Sequence, residues 1–409
     1  MVTKLTWQIK ILDKQSQCNV LSAVSIHDSK DGDMFQSWGK SLAKRFVLGL
    51  IPVTLYTLAG GCGKQTVPSA NELNIYGWSD YHDEALIREF TRKTGIRVRY
   101  DMFDSSDAAE AKLLAGSSGY DITNVSNPYL GHHVRIGLYQ ELDRSQLSDW
   151  GNLDPDILRQ IAVFDPGNRY ALPYVWGITG TIYNIEAVSS RLSDAPLGTM
   201  AIFFDPKVVS KFADCGVSIF DLPFSVYQMV LAYLGRNPNE FTDENLDAAQ
   251  KQLLLVRRYI RRFDTDNWAP TLLNGDVCVA MGWPGTLSRV LADTPPLQIK
   301  GHFAAAIPQG SELYFDNLAI LKDAPHTAAA YQYFRFLLDA KTAASHINRI
   351  RYAIGNKAAT PFVAPAIREN PGFYPSSDVL EHSHQQMTVP PDFQRKMTRY
   401  WAELKAQRS

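Results

Sequence analysis

The chain has 409 residues, 45 % of them hydrophobic and 20 % charged, with a formal net charge of -1. That length exceeds one ordinary domain and suits two, each with its own core. A near-neutral balance excludes a global field that would recruit nucleic acid or an anionic membrane surface. The densest basic run, "VRRYIRRF", sets Arg257, Arg258, Arg261 and Arg262 at helical spacing and is expected as a solvated helix face.

Residues 1–33 are polar and without sustained periodicity, and are expected to be a mis-assigned start or a disordered extension. From Met34 the order is that of a secretory signal: basic Lys40, Lys44 and Arg45, an apolar stretch Phe46–Leu58, then Ala59, Gly60, Gly61 and Cys62. The apolar stretch is too short to span a bilayer. The small residues before Cys62 resemble a bacterial lipobox, with Ala59 where Leu is preferred, so Cys62 is a candidate lipidation site and simple cleavage is the alternative. "GGCGKQT" lacks the first glycine and the final Ser or Thr of a phosphate loop and is rejected as one. Export leaves Cys215 and Cys278 as a pair in an oxidising compartment, either bonded or two buried thiols. A bond would stabilise the fold by about 4 kcal/mol on a loop-entropy model.

After a polar linker over 63–72, strand and helix patterns alternate. "LNIYG" reads as a strand. "DEALIREFTRKTG" sets Ala85, Leu86, Ile87 and Phe90 on one face and stops at Gly95. "IRVRYDMF" is a strand, "SDAAEAKLLAGSSG" a helix and "YDITNVS" a strand, which together give βαβαβ, the start of an open parallel sheet. "YALPYVWGITGTIYN" reads as one long strand. "DENLDAAQKQLLLVRRYIRRF" reads as one long amphipathic helix through Leu246, Ala249, Leu253, Leu254, Val256, Tyr259, Ile260 and Phe263. "NGDVCVAMGW" and "ELYFDNLAILKD" are strands, "HTAAAYQYFRFLLDA" and "KTAASHINRI" helices, and a Pro-rich stretch of turns precedes a last helix, "DFQRKMTRYWAELKAQ". Two α/β lobes sharing the chain discontinuously fit this order, and two domains in series compete with that arrangement.

Ligands in open α/β sheets meet the carboxyl ends of strands. Those positions carry Trp78, Ser79, Asp80 and Tyr81, then Ser126 and Asn127, Trp176, Trp283, Tyr314 with Phe315 and Asp316, and Tyr352. Aromatic faces with a few carboxylates suit an aliphatic cation, because rings accept methylenes and ammonium charge while Asp holds amines. Asp80 is read as that charge or as a helix cap. Catalysis has little support, since G-x-S-x-G, H-E-x-x-H and C-x-x-C are missing. His132 and His133, and Glu381, His382 and His384, lack further well-spaced ligands and are expected on the solvated surface rather than on a metal.

"NIYGWSDY", "FTRKTGIRVRYDMFDS", "KLLAGSSGYDI", "LPYVWGITG", "NGDVCVAMGW", "YFDNLAI" and "GNKAATP", in this order, resemble the periplasmic polyamine-binding proteins of ABC transporters, the putrescine and spermidine receptors. The resemblance runs from about Leu73 to the end and implies the type II periplasmic binding protein fold: two α/β lobes, a hinge and an interlobe ligand cleft. It places lobe 1 at 73–174 plus 312–360 and lobe 2 at 175–311 plus 361–409. It implies a Cys215–Cys278 disulfide, an aromatic cage of Trp78, Tyr81, Trp283, Tyr314 and Tyr352, polar contacts from Ser79, Asp80, Ser126 and Thr265, and Asp316 as the acid that holds an amine.

Two positions depart from that pattern. Thr286 and Ser225 stand where the family carries acids, with Asp221 four residues upstream of Ser225 as a distant substitute. Buried ammonium groups are costly without acids, so the expected ligand extends from putrescine and spermidine to less charged molecules: a monoamine, an amino acid resembling 4-aminobutyrate, or a weakly held diamine. The resemblance further implies a monomer that binds without cofactor or metal, closes on its ligand and is read by an ABC permease. A sensor that signals to a membrane receptor is the first alternative, and an α/β hydrolase lacking an identifiable nucleophile the second.

Overall fold

The computed structural model describes residues 71–103 and 105–407; the signal, Cys62 and the leading segment lie outside the described residues. The first half of the chain builds what its pattern dictates. Strand β1 (Glu72–Trp78) is followed by helix Glu84–Thr94, β2 (Arg97–Phe103), helix Ser106–Leu114 and β3 (Ile122–Ser126). Leu86, Ile87 and Phe90 bury one side of the first helix, and Gly95, in a left-handed conformation with φ 74°, ends it. β1 pairs in parallel with both β2 and β3.

Two sheets organise the rest. β4 (Ala171–Ile178), β10 (Glu312–Ile320), β11 (Ala353–Ile354) and β12 (His384–Gln385) join the first three strands in a seven-stranded sheet. β5 (Gly180–Asn184), β6 (Val217–Ile219), β7 (Ile260–Phe263), β8 (Val279–Gly282) and β9 (Phe303–Ala306) form a second, five-stranded one. The long strand expected over "YALPYVWGITGTIYN" is therefore two: β4 belongs to the first sheet, β5 to the second, and buried Thr179 alone separates them. The chain crosses back between β9 and β10, so both crossings border the same region.

The single helix expected over Asp243–Phe263 is also divided. It ends at Val256; Ile260 and Phe263 then pair in parallel with Val217 and Ile219 of β6. β-branched and aromatic residues gain more from a half-buried sheet than from another helical turn. The arginines are correspondingly not on one helix face, although Arg258, Arg261 and Arg262 are exposed as expected. Arg257 donates to the Leu404 and Ile260 carbonyls, and Arg261 to the carbonyls of Ala213, Asp214, Cys215 and Asp276. They cap backbone groups left over by the turns. His133 corrects another expectation: it is buried, bound to Tyr139 Oη at 2.6 Å and Glu110 Oε1 at 2.9 Å, with burial lowering its pKa.

Cys215 and Cys278 are bonded, Cα to Cα 5.5 Å, tying the approach to β6 to the start of β8. The C-terminal helix Pro391–Ala406 packs on this half, with Trp401 edge-on to Tyr227 and Phe263. Among the described residues no helix is long and apolar enough to cross a membrane.

Candidate ligand-binding site

The stretch after β1 turns through one 3-10 turn, Ser79–Tyr81, before helix Glu84–Thr94. Capping that helix falls to Asp83, which accepts from the Ala85 and Leu86 amides, both at 3.1 Å. Burial alone would raise the Asp83 carboxyl, but His346 at 2.9 Å and Arg349 at 2.7 Å hold it at about 2. Asp80 is thereby left for other work.

Asp316 sits in mid-sheet on β10, opposite Ser126 of β3, and is only 5 % exposed. Its carboxylate accepts from Tyr81 Oη at 2.5 Å and from the Ser126 hydroxyl. Burial pushes its pKa up, and the hydrogen bonds from Ser126 and Tyr81 oppose that shift. All these donors are neutral. Around it stand rings: Tyr81 is edge-on to Tyr352 at 5.2 Å, and Tyr314, on the same face of β10, meets Trp283 from the second sheet at 6.3 Å. Trp283 in turn lies 4.6 Å from Phe220. Burial drives the Tyr81, Tyr314 and Tyr352 phenols well above their ordinary pKa, so they remain protonated donors. Tyr314 needs Gly177 beneath it, since a Cβ there would lie 2.2 Å from its hydroxyl.

Asp80 has a different environment. Arg289 of helix Pro284–Asp293 forms an ion pair with Oδ1, while Tyr352 Oη donates to Oδ2 at 2.7 Å. Thr286 reaches the same oxygen at 3.5 Å and shares a 2.7 Å hydrogen bond with Tyr352. Helix Pro284–Asp293 follows β8, whereas Asp80 follows β1, so these bonds join elements of the two sheets. Close approach is permitted by Gly285, where a Cβ would stand 2.5 Å from the Arg351 carbonyl, and Arg351 donates to Ser288 at 2.9 Å.

The structure thus brings together Trp78, Asp80, Tyr81, Ser126, Trp283, Thr286, Tyr314, Asp316 and Tyr352. It does not bring in Asp221 or Thr265. The Asp221 carboxylate is taken by Trp401 Nε1 at 2.7 Å and Lys405 Nζ at 2.6 Å, and the Thr265 hydroxyl accepts from the Asp221 amide. Ser79 is exposed, its carbonyl accepting from His82. Trp176 and Phe315 stack on each other at 6.3 Å within the core of the opposite face, and Asn127 is buried against Asn317. Ser225 lies in the first turn of helix Pro223–Tyr233 and hydrogen-bonds Glu312.

Two residues escaped the sequence reading: Arg289 and Glu312. Arg289 lies three residues after Thr286, one helical turn along the same face, and Glu312 lies one period-two step before Tyr314 and two before Asp316. Both signals were present as spacing. Among the described residues no group of His, Cys, Asp and Glu has the arrangement of a metal site.

Comparison with known proteins fits this architecture. The model of the bacterial extracellular solute-binding proteins matches residues 85–375. The chain is 37 % identical to the putrescine-binding periplasmic protein SpuD of Pseudomonas aeruginosa, over 89 % of this chain and 100 % of that one. It is 36 % identical to the putrescine-binding periplasmic protein PotF of Escherichia coli, over 90 % and 99 %. Among solved structures, a putative spermidine/putrescine ABC transporter protein from Listeria monocytogenes aligns with TM-score 0.71 and 28 % identity, covering 82 % of this chain and 99 % of that one. The two-sheet arrangement is the two-lobed periplasmic binding protein fold, and the chain belongs to the family of bacterial extracellular solute-binding proteins.

Proposed function

We propose that this protein captures an aliphatic amine of the polyamine class outside the cytoplasm and presents it to an ABC permease. The observation that carries the reading is Asp316: a buried carboxylate held by neutral hydroxyls inside a wall of tyrosine and tryptophan rings. Such a group is stabilised by a cation that brings its own charge, and ring faces accept the attached methylenes. The names of the relatives, putrescine-binding in both cases, support the same ligand class. In this reading Asp316 and Ser126 hold an ammonium group, Trp78, Tyr81, Trp283, Tyr314 and Tyr352 line the chain, and the Asp80 cluster fastens the lobes once they close. The chain crossings at Thr179 and at 307–311 are the hinge. The protein binds rather than catalyses, as its relatives do.

Export by the signal at 34–62 and a lipid on Cys62 belong to the same proposal, and the Cys215–Cys278 bond suits an oxidising compartment. Mass spectrometry of the mature N-terminus decides between a lipidated Cys62 and plain cleavage. Calorimetry of the purified protein with putrescine, spermidine and 4-aminobutyrate tests the ligand: saturable heat with a polyamine is expected. Binding of 4-aminobutyrate with no polyamine binding would overturn the amine class.

A further inference from the structure

A carboxylate that no comparison assigns stands beside the site. β10 runs regularly from Glu312 to Asp316, its only irregularity falling after Asp316, so Glu312, Tyr314 and Asp316 point to one face. That is the face on which Tyr314 meets Trp283 and Asp316 receives Tyr81 and Ser126. Glu312 is 5 % exposed. Its side chain hydrogen-bonds Ser225, while the other oxygen, Oε2, is fully buried and has no hydrogen-bond partner in the protein. Among the described residues no lysine or arginine pairs with it. A buried acceptor left open by the protein is costly in isolation, and native sites that keep one place it where a ligand donor arrives.

Ser225 gives this its meaning. It lies in the first turn of helix Pro223–Tyr233, on the half built from the second sheet, and Glu312 delivers a carboxyl group to its hydroxyl from β10 of the first. The Tyr314 phenol, between the two acids of β10, is raised by burial and further by Tyr352, Asp316, Asp80 and Glu312. Asp80 is already matched by Arg289, so the cleft's open anionic groups are Asp316 and Glu312.

We propose that Glu312 is a ligand-binding acid, the second pole of the cleft, and that the ligand is an aliphatic diammonium chain lying over Tyr314 from Asp316 to Glu312. This rests on the amine reading of the site and deepens it. Along β10 the two acids are four residues apart, roughly 13 Å between Cα atoms for an extended strand, with Tyr314 between them on the same face.

The test is calorimetry on the full-length protein with 1,4-diaminobutane and n-butylamine, for wild type, Glu312→Gln and the double variant Glu312→Gln/Ser225→Glu. Glu312→Gln is expected to weaken the diamine by roughly 30-fold or more, as loss of one partner of a buried charge pair does, and to leave n-butylamine within about threefold. The double variant is expected to regain most of the diamine affinity, an outcome that a purely structural Glu312 would not give, and thermal melts certify that each variant is folded. Equal weakening of both ligands, or none, overturns the second pole while leaving the amine reading intact if wild type binds the diamine. A wild type that binds neither amine overturns both.

Discussion

Asp316 and Asp80 are the same residue type, each bound to one of two tyrosines that meet edge-on, and their surroundings differ in the charge they supply. Asp316 is buried and held by hydroxyls, which orient a carboxylate without neutralising it. Asp80 is about one-third exposed at its side chain and already matched by Arg289, with Tyr352 and Thr286 completing its shell. One leaves its charge unmatched by any protein cation among the described residues, and the other spends its charge on an ion pair with an element of the second sheet. Counting acids in a binding cleft therefore misjudges its appetite for cations unless the protein's own cations are counted too.

The sharpest way to break this contrast is to neutralise each acid in turn. Asp316→Asn is expected to cost about 3 to 5 kcal/mol of amine binding, which calorimetry reads as a loss of roughly 150-fold or more. Asp80→Asn is expected to cost less than about 1 kcal/mol, since a half-exposed pair is screened by solvent. Equal losses for the two variants would end the distinction.

Glu312 sharpens the contrast through stability. Burial raises its carboxyl to about 7 from an ordinary 4.5, with the Ser225 hydrogen bond acting in the opposite direction. A folded-state acid with a raised pKa keeps its proton while the unfolded chain gives it up. The unliganded fold is accordingly most stable below pH 4.5 with respect to this group and loses that advantage as pH climbs to about 7, up to about 3 kcal/mol in all. Glu312→Gln is expected to raise the melting temperature of unliganded protein at pH 8 and leave it unchanged at pH 4. An equal shift at both pH values would refute the cause.

Binding should follow the same titration with the opposite benefit. Diamine affinity is expected to fall by up to tenfold between pH 8 and pH 6 as Glu312 takes up a proton that the ammonium must displace, and to lose that part of its slope in Glu312→Gln. The groups that face Glu312 are Tyr314, protonated throughout, the Ser225 hydroxyl, and His384 across the β12 pairing, whose pKa burial lowers to about 4. Asp316, farther along the strand, titrates in both proteins and cancels in the comparison.

The smallest effect belongs to the seam. Arg289→Met removes the pair at Asp80, whose partners are 31 % and 33 % exposed, and is expected to shift the closed-to-open balance by no more than about fivefold. Small-angle scattering of unliganded protein would show a larger radius of gyration for the variant at low salt, and the difference should vanish at high salt. A difference that persists at high salt would mean that packing at Gly285, not charge, holds the seam.

Much of this was legible beforehand. The βαβαβ opening followed from period-two and period-3.6 patterns with Gly95 as a stop, and the strand-end positions of Trp78, Tyr81, Trp283, Tyr314 and Tyr352 marked rings that the fold gathers, their part in binding being the proposal above. What escaped was decided by partners distant in sequence. Nothing local says that Thr179 leaves one sheet and Gly180 enters another, because both segments are strand-like and one residue separates them. Ile260 and Phe263 continue a helical stripe as well as they fill a strand, and only β6 beside them settles which. Asp221 looked like a spare acid until Trp401 and Lys405, 180 and 184 residues later, claimed it. Glu312 was hidden for the converse reason: it heads a strand in a sequence where acids are common, and its lack of a partner is visible only in three dimensions.

The Cys215–Cys278 bond lies wholly within the half of the molecule built on the second sheet. Reduction would soften that half without untying the seam, which among the described residues is joined by charge, hydroxyls and close packing. A joint fastened in that way answers to ions rather than to electrons. The ionic strength of the surrounding fluid, and not its redox state, therefore tunes how readily the two jaws stay shut.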